Sequence, residues 1–558
     1  MVDARSNNPT LLKDLRHWAA ERPNTPWMIE AWSNHERSFT WAEGAAEIQA
    51  AAAWLATKTS QPGAKVGLLS ANCAHWMLAD YAIMASGNVT VPIFTTMNAE
   101  TVDYVASFAG IEMLVLGNAA NWEAIRSVIP EHIHIVTLPS APVVDGATSW
   151  DQIVAEGKQL PSPEDADENK LATIVFTSGT TGKPKGVMHS MATLREASDG
   201  VRLLTQSNTD SRWLSYLPLA HMAERVVVEN HAMVAGGTIY FNESQESFLK
   251  DLQNAKPTML LGVPRIWEKL QQVVLAHLVS LEDLNEARAN GEVDAVAAKV
   301  KGFLGLESIE YILTSTAPTP APLKAWYEEL GIVLYDGYGQ SEVLPVCGNR
   351  PDNRKLDSIG VAVPGVDIRI AEDGEIMARG SGTSLGYYND PEKTAETFEP
   401  DGWVHTGDRG RIDEDGHVFI TGRVKEIFKT ARGKYVAPAP IEGQFLESPS
   451  IEQACLTGLG LTQTVMIAVV AESASTKSDD ELSSELLSWT ASINARLEKH
   501  ERIGALLLTP TPWTQENEVL THTLKLKRDA VEDRYASALA ESGERMRNNE
   551  SLFVMPVE

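Results

Sequence analysis

The sequence predicts an α/β fold. It has a large N-terminal domain of layered α/β sheets with a β-rich subdomain, then a small α+β C-terminal domain. Three observations predict this. From Ala64 to Tyr335, short β-type runs alternate with helical spacings, the rhythm of parallel strands covered by helices. Between Gly360 and Gly422 the runs shorten and are separated by Gly, Asp and Pro turns, as in an antiparallel unit. After Arg423 a separate set of strand and helix patterns begins, which places the boundary near Lys425 and gives domains 1–424 and 425–558.

The elements follow in order. Leu11–Arg22 and Glu43–Thr57 have helical spacing, Ala64–Leu69 is β-type, Ala74–Ser86 is helical and Thr90–Phe94 is a strand. Further β-type runs lie at Ala172–Phe176, Arg212–Leu217, Gly237–Phe241, Met259–Val263 and Val333–Tyr335. The charged, Ala-rich stretch Glu282–Val300 predicts a solvent-facing helical insertion. Asp367–Ile370, Glu375–Ala378 and Val418–Thr421 form the β-rich part. In the last domain Ala454–Leu456, Val465–Ala471 and Ala505–Thr509 read as strands, and Leu482–Lys499 and Asp529–Glu541 as helices. The polar stretches Pro161–Lys170 and Ser473–Asp480 read as loops, and residues beyond Glu541 are expected to be poorly ordered.

A chain of 558 residues, 43% of them hydrophobic, can bury a large core and exceeds one simple domain. A charged fraction of 22% is that of a globular protein. The net charge of -28 repels phosphate backbones, so no nucleic-acid partner is expected. An anionic substrate then needs a local basic site. Cys73, Cys347 and Cys455 are scattered and show neither redox nor metal spacing, which fits a reducing compartment. No run approaches about 18 uninterrupted apolar residues, and the polar N-terminal stretch has no signal-peptide pattern. A cytoplasmic location is expected. Peripheral membrane contact and oligomeric state stay open.

The most informative string is Thr177-Ser178-Gly179-Thr180-Thr181-Gly182-Lys183-Pro184-Lys185-Gly186, which leaves a buried β-type run. Glycines let backbone N–H groups approach an anion, hydroxyls add donors and lysines add charge. Such a loop suits a polyphosphate. It is no Walker motif, because only two residues separate Gly179 from Gly182 and Pro184 stops a helix from continuing.

This string closely matches the phosphate-binding signature of the adenylate-forming (AMP-binding) superfamily, which includes acyl-CoA synthetases, luciferases and adenylation domains of peptide synthetases. The resemblance runs from about Thr10 to Arg528, with further motifs in order. It implies that Thr177, Ser178, Gly179, Thr180, Thr181, Gly182 and Lys185 hold the ATP phosphates. Tyr335-Asp336-Gly337-Tyr338-Gly339-Gln340-Ser341-Glu342 is similar to the adenine-binding segment. By that likeness Asp336, Gly337, Tyr338, Gly339, Gln340 and Ser341 contact the nucleotide, with Tyr338 stacked on adenine, and Glu342 with Thr177 holds Mg2+. Thr316, Ala317 and Pro318 stand where relatives touch adenine, although many relatives have Gly and small residues before the Ala-Pro.

Trp403–Asp408 looks like the ribose segment, with Asp408 on the hydroxyls. Gly422–Glu426 looks like the hinge, with Arg423 near the ribose and Lys425 at the pivot, and Gly433 would pass close to the pantetheine arm of coenzyme A. Leu520–Arg528 resembles the segment carrying the catalytic lysine, here Lys525, although Leu524 replaces a common Gly.

Ser215–Arg225 and Gly262–Lys269 look like the long-chain acyl-CoA synthetase versions of their regions, and by that likeness His221 lines the carboxylate end of the acyl pocket. The resemblance therefore implies a long-chain fatty acid–CoA ligase. With ATP and Mg2+ it would activate a fatty acid to its acyl-adenylate and pass the acyl group to coenzyme A. The alternatives are an adenylating enzyme for a medium-chain or aryl acid, or one that loads a carrier protein.

Other signals are rejected. Gly382-Thr383-Ser384-Leu385-Gly386 matches the hydrolase elbow, but Tyr387, Tyr388 and Asn389 lead to a turn, not to the helix that an elbow must open. Gly380, Gly382 and Gly386 miss the dinucleotide spacing, and no His/Cys/Asp cluster has zinc spacing.

Overall fold

The computed structural model describes residues 10–557 apart from 34, 164–165, 178–182, 516, 522–525 and 549. The chain divides into two compact units, Met1–Ile368 with Ala378–His405, and Arg369–Met377 with Thr406–Glu558.

The first unit is built on a seven-stranded sheet in the order Thr148–Ser149, His134–Thr137, Ile111–Leu116, Lys65–Leu69, Val89–Ile93, Leu171–Thr177, Lys185–Ser190. Strand pairs are parallel except the last, where Lys185–Ser190 turns back on Leu171–Thr177. Strands such as Leu171–Thr177 are continuous apolar runs because both sheet faces are covered. The helix Ala74–Ala85 is apolar all round and accordingly buried along its length. The helix Trp41–Lys58 starts at a capping box, in which Thr40 and Glu43 satisfy each other's backbone N–H.

A five-stranded sheet runs Met259–Gly262, Tyr311–Thr314, Leu334–Gln340, Val343–Gly348, Val361–Ala362, the first three strands parallel. A four-stranded sheet pairs Arg212–Ser215, Thr238–Phe241, Pro26–Trp32 and His35–Thr40. The α/β alternation is as expected. The hairpin Pro26–Trp32/His35–Thr40 was not evident, because its second strand is polar and its pairing partner Thr238–Phe241 lies far along the chain. The insertion is two helices, Leu281–Asn290 and Val293–Leu304, broken at Gly291 with φ 72°.

One buried polar node ties these layers together. Asp80, Glu224, Arg225 and Glu229 have no solvent exposure. Arg225 pairs with Asp80 on the helix Ala74–Ala85, donates to Thr173 Oγ1 on Leu171–Thr177 at 2.8 Å and faces Glu229 at 3.5 Å. Thr173 in turn donates to Thr90 O at 2.9 Å on the next strand. Arg225–Glu229 is wound as a π-helix, which re-aims the side chains that follow His221. Glu224 Oε1 accepts from Ser215 Oγ at 2.8 Å and from Tyr216 N at 3.1 Å. Burial pushes its carboxyl up to about 8, so it is held mainly as the neutral acid near pH 7.

The second unit has a four-stranded sheet, Ile451–Thr457, Thr464–Val470, Ile503–Thr509, Phe553–Pro556, antiparallel at the first pair and parallel thereafter. Alternate residues serve two cores. Leu456, Met466 and Leu506 pack with Phe445, Leu486 and Ile493, while Ile467, Ala505 and Leu507 pack with Trp513, Val531 and Tyr535. The expectation of disorder beyond Glu541 is corrected: a helix runs Ala536–Arg547, and Phe553 and Met555 are buried on the added strand. The expected helix Leu482–Lys499 runs Asp479–Asn494 instead, started by a capping box at Ser478 and Glu481. Among the described residues, no helix is long and apolar enough to cross a membrane.

Arg225→Met leaves Asp80 buried without its cation, and the expected loss is about 3–5 kcal/mol of stability by chemical denaturation. A loss below about 1 kcal/mol, the range of an exposed pair, would refute the node. Glu224 makes stability pH-dependent. Its folded pKa is above the unfolded one, so its contribution is complete below the carboxylate range and is lost as pH rises through about 8. The unfolding midpoint is therefore expected to fall from pH 6.5 to pH 8. Glu224→Gln keeps the acceptor for Ser215 and Tyr216 and should show a smaller slope; an unchanged slope would sink the assignment.

Candidate active site

The phosphate-loop residues link two antiparallel strands, Leu171–Thr177 and Lys185–Ser190. Thr177 and Lys185 are the last facing pair of the ladder, so the residues between them leave at the carboxyl end of the parallel strand Leu171–Thr177. That end of an open α/β sheet is where ligands bind. Ser178, Gly179, Thr180, Thr181 and Gly182 lie outside the described residues.

The next segment locks onto this hairpin. Met188 N donates to Gly386 O at 2.9 Å, Leu385 N to Met188 O at 2.8 Å and Tyr388 N to Gly186 O at 2.8 Å. Leu385–Tyr388 therefore runs along the edge of Lys185–Ser190, and Gly382–Gly386 passes from a turn into this edge and opens no helix, in keeping with the rejection of a hydrolase elbow. It also brings Tyr387 between two site residues. Tyr387 OH donates to Glu342 Oε1 at 2.7 Å, and Lys185 Nζ stands 5.2 Å from the centre of the Tyr387 ring. Burial and the adjacent Glu342 carboxylate hold the Tyr387 hydroxyl well above the usual phenol range, so it stays a donor. Sequence reading passed over Tyr387, because an aromatic before a turn carries no sign of a carboxylate brought from a distant segment.

Glu342 sits at the turn between Leu334–Gln340 and Val343–Gly348. Two contacts hold this turn: Ser384 N donates to Glu342 O at 2.9 Å, and His189 Nε2–H donates to Ser341 O at 2.8 Å. Burial lowers the His189 pKa to about 4, so the ring is neutral and that tautomer persists. Tyr338 pairs with Cys347 and Gln340 with Val343, with a bulge between them at Gly339. A Cβ at Gly339 would stand 2.3 Å from Leu344 Cδ1, and one at Gly337 2.5 Å from Leu313 Cδ1. A side chain at either position would have to displace the end of a leucine, while the nearest backbone atoms stand at 3.4 and 3.6 Å. Gln340 Nε2 donates to the Tyr338 hydroxyl at 3.0 Å. Asp336 accepts from Lys324 Nζ at 2.9 Å. Burial raises its carboxyl, against the pull of that lysine.

Thr316, Ala317 and Pro318 follow the strand Tyr311–Thr314. Thr314 pairs with Asp336, so these residues leave the sheet where Gly337 continues it. Thr316 has φ 73°, a left-handed conformation strained for a β-branched residue and easy for glycine. His221 caps the short helix Met222–Glu224, and its Nδ1 accepts from Ala223 N at 3.1 Å. The proton is thereby assigned to Nε2.

The remaining site residues belong to the second unit. Asp408 and Arg423 face each other across an antiparallel ladder, with Arg423 Nε donating to Asp408 Oδ1 at 2.8 Å. Gly407 N donates to Glu375 Oε1 at 2.7 Å and Thr406 Oγ1 to Ile376 O at 2.6 Å, which fixes the segment before Asp408. Lys425 is exposed in the turn that follows. Gly433 has φ 76° in an exposed turn, and a Cβ there would meet only Lys429 Cε at 3.9 Å, so backbone conformation and not crowding favours glycine. Lys525 lies outside the described residues. Its segment is closed at the base by a bridge between Leu520 and Leu526 and by Lys527 N donating to Val519 O at 2.9 Å. Arg528 anchors the following helix through Glu442 at 2.7 Å and Leu456 O at 2.8 Å.

Comparison with known proteins gives the family. The AMP-binding enzyme family matches residues 15–388, and the AMP-binding enzyme C-terminal domain matches residues 426–545. A long-chain-fatty-acid–CoA ligase of Mycobacterium bovis is 30% identical over 89% of this chain and 91% of its own. Fatty acyl-CoA synthetase A of Dictyostelium discoideum is 28% identical over 86% of this chain and 81% of its own. Among solved structures, the adenylation domain of a carboxylate reductase from Mycobacterium chelonae has a TM-score of 0.80 at 20% identity, covering 96% of this chain and 91% of that one. An anthranilate CoA ligase in complex with anthranoyl-AMP has a TM-score of 0.79 at 19% identity, covering 95% and 98%. These two likenesses concern the fold. The matches over both units together establish that the chain belongs to the AMP-binding enzyme family.

Proposed function

We propose that this protein is a long-chain fatty acid–CoA ligase that forms AMP: it activates the acid as its acyl-adenylate and transfers the acyl group to coenzyme A. The observation that carries the reading is the joining of Lys185 and Glu342 through Tyr387 at the mouth of the Thr177–Lys185 hairpin, in a chain whose relatives include long-chain-fatty-acid–CoA ligases. A cation for phosphate and a carboxylate for its counter-ion are thus held by one side chain. Thr177 and Glu342 offer hydroxyl and carboxylate oxygens, the hard donors that Mg2+ takes. They would hold the ion that accompanies ATP, which supplies charge neutralisation at the phosphates.

In this reading the phosphates rest on Thr177–Lys185, adenine lies against Tyr338 and Thr316–Pro318, and the ribose hydroxyls donate to Asp408. The fatty-acid carboxylate, oriented by the Nε2–H of His221, attacks the α-phosphorus and pyrophosphate leaves. Catalysis is positioning and charge stabilisation, with Lys525 supplying positive charge where negative charge develops. Domain 425–558 then swings about Lys425, withdraws Lys525 and presents Gly433 to the pantetheine arm. The thiol attacks the acyl carbonyl, the thioester forms and AMP leaves. A cytoplasmic setting suits this reading.

The test is pyrophosphate release from ATP and Mg2+ with a panel of acids, with and without coenzyme A. Long-chain acyl-CoA and AMP in equal amounts are expected. Adenylate without thioester, or a preference for aryl acids, would overturn the proposal. Tyr387→Phe keeps the ring beside Lys185 and removes one hydrogen bond to a charged group, so kcat/KM for ATP should fall roughly 10- to 100-fold with little change in melting temperature; unchanged kcat/KM would refute the coupling. Lys525→Ala should lose adenylation by roughly 100-fold or more while still converting supplied acyl-adenylate to thioester. Lys425→Pro should do the reverse. Equal damage to both half-reactions by both variants would rule out the swinging domain.

A further inference from the structure

A second polar cluster lies away from the residues used above, at the tip of the hairpin formed by Val404–Ile412 and Val418–Arg423. The linking turn is Asp413-Glu414-Asp415-Gly416. Asp413 Oδ1 accepts the backbone N–H of Asp415 at 3.1 Å and of His417 at 2.9 Å, and Asp413 N donates to His417 O at 3.0 Å. The turn is therefore set by its backbone together with the Asp413 carboxylate. The sequence reading found no such cluster, because Asp, Asp and His at alternate positions match no zinc motif.

His417 makes the cluster more than an acidic turn. It is only 4% exposed, and neither ring nitrogen has a hydrogen-bond partner. An imidazole buried in this way is costly to leave unsatisfied. Its Nδ1 points toward Asp413 Oδ1 at 3.7 Å, too long for a hydrogen bond and suited to two donors sharing one ion. One ligand atom each of Asp413, Asp415 and His417 lie within 4.8 Å of one another. Donors about 2.0–2.2 Å from a common ion stand about 3–4.4 Å apart, so a small rotation of the exposed Asp415 side chain closes the set.

We propose that Asp413, Asp415 and His417 bind a borderline divalent cation of the zinc type, with water completing the coordination. One imidazole with two carboxylates favours such an ion over Mg2+ or Ca2+, which take oxygen ligands throughout. The ion would pin the tip of the hairpin whose strands carry Asp408 and Arg423. This is independent of the reaction proposed above, since neither the turn nor His417 has a part in it.

The experiment is metal uptake by the full-length protein, stripped with chelator and kept free of nucleotide, during dialysis against low-micromolar Zn2+ and, separately, Co2+. His417→Phe, Asp413→Asn and Asp415→Asn are compared with the unaltered chain. Asp413→Asn retains the side-chain oxygen that accepts the two turn N–H groups, and Asp415 is exposed, so both variants should fold even if His417→Phe does not. One equivalent of Zn2+, a visible Co2+ absorption band and a Zn2+-dependent rise in melting temperature are expected in the unaltered chain, and all three should be lost in the variants. No uptake by the unaltered chain, or uptake retained in the Asn variants, would overturn the site and assign the His417 nitrogens to a buried water.

Discussion

The buried cation of Arg225 is the constraint on which the first unit depends. A guanidinium with no solvent around it must find anionic and hydroxyl partners, and here they come from two other elements, Asp80 on a helix and Thr173 on the strand that leads to the phosphate loop, while Glu229, whose carboxyl burial raises well above the usual range, stands 3.5 Å away on its own π-helical stretch. Satisfying that charge fixes where the strand lies relative to the segment that carries His221. An apolar core of the same volume would fill the space but would tolerate sliding between layers. Directed polar partners do not, because each displaced bond leaves an unsatisfied charge.

The same logic works at shorter range around Glu342. Its carboxylate is held by the Tyr387 hydroxyl and its turn by His189 and Ser384, so two separate chain segments set one acidic side chain. Each partner is kept in the required protonation state by burial: Tyr387 as the neutral phenol and His189 as the neutral imidazole. A carboxylate positioned in this way needs little reorganisation when charge arrives beside it, which is the property that phosphate chemistry rewards.

In the second unit, fixed polar pairs frame short functional stretches. Asp408 is set by Arg423 across the ladder, and Arg528, gripped by Glu442 and the Leu456 carbonyl, holds the chain just after the segment of Lys525. Glu442 also accepts from Leu456 N at 2.6 Å, so the helix Pro438–Phe445, the sheet and the lysine segment meet on a single carboxylate. The hairpin tip at Asp413–His417 belongs to the same pattern, a turn closed by the Asp413 carboxylate on the backbone N–H groups of Asp415 and His417.

The sequence by itself determined the α/β class and the order of most elements, and its motifs carried the resemblance to the AMP-binding family. Those features are local: apolar periodicity, glycines at turns, and hydroxyls and lysines within one loop. The hairpin Pro26–Trp32/His35–Thr40 and the strand Phe553–Pro556 were not legible, because a short strand is stabilised by a partner far along the chain. Tyr387 beside Lys185 and Glu342, Arg225 among three elements, and His417 beneath two aspartates were decided only by the tertiary structure. Hydrogen bonds and burial act through space over a few ångströms, and sequence separation carries no record of which distant groups fall within that reach.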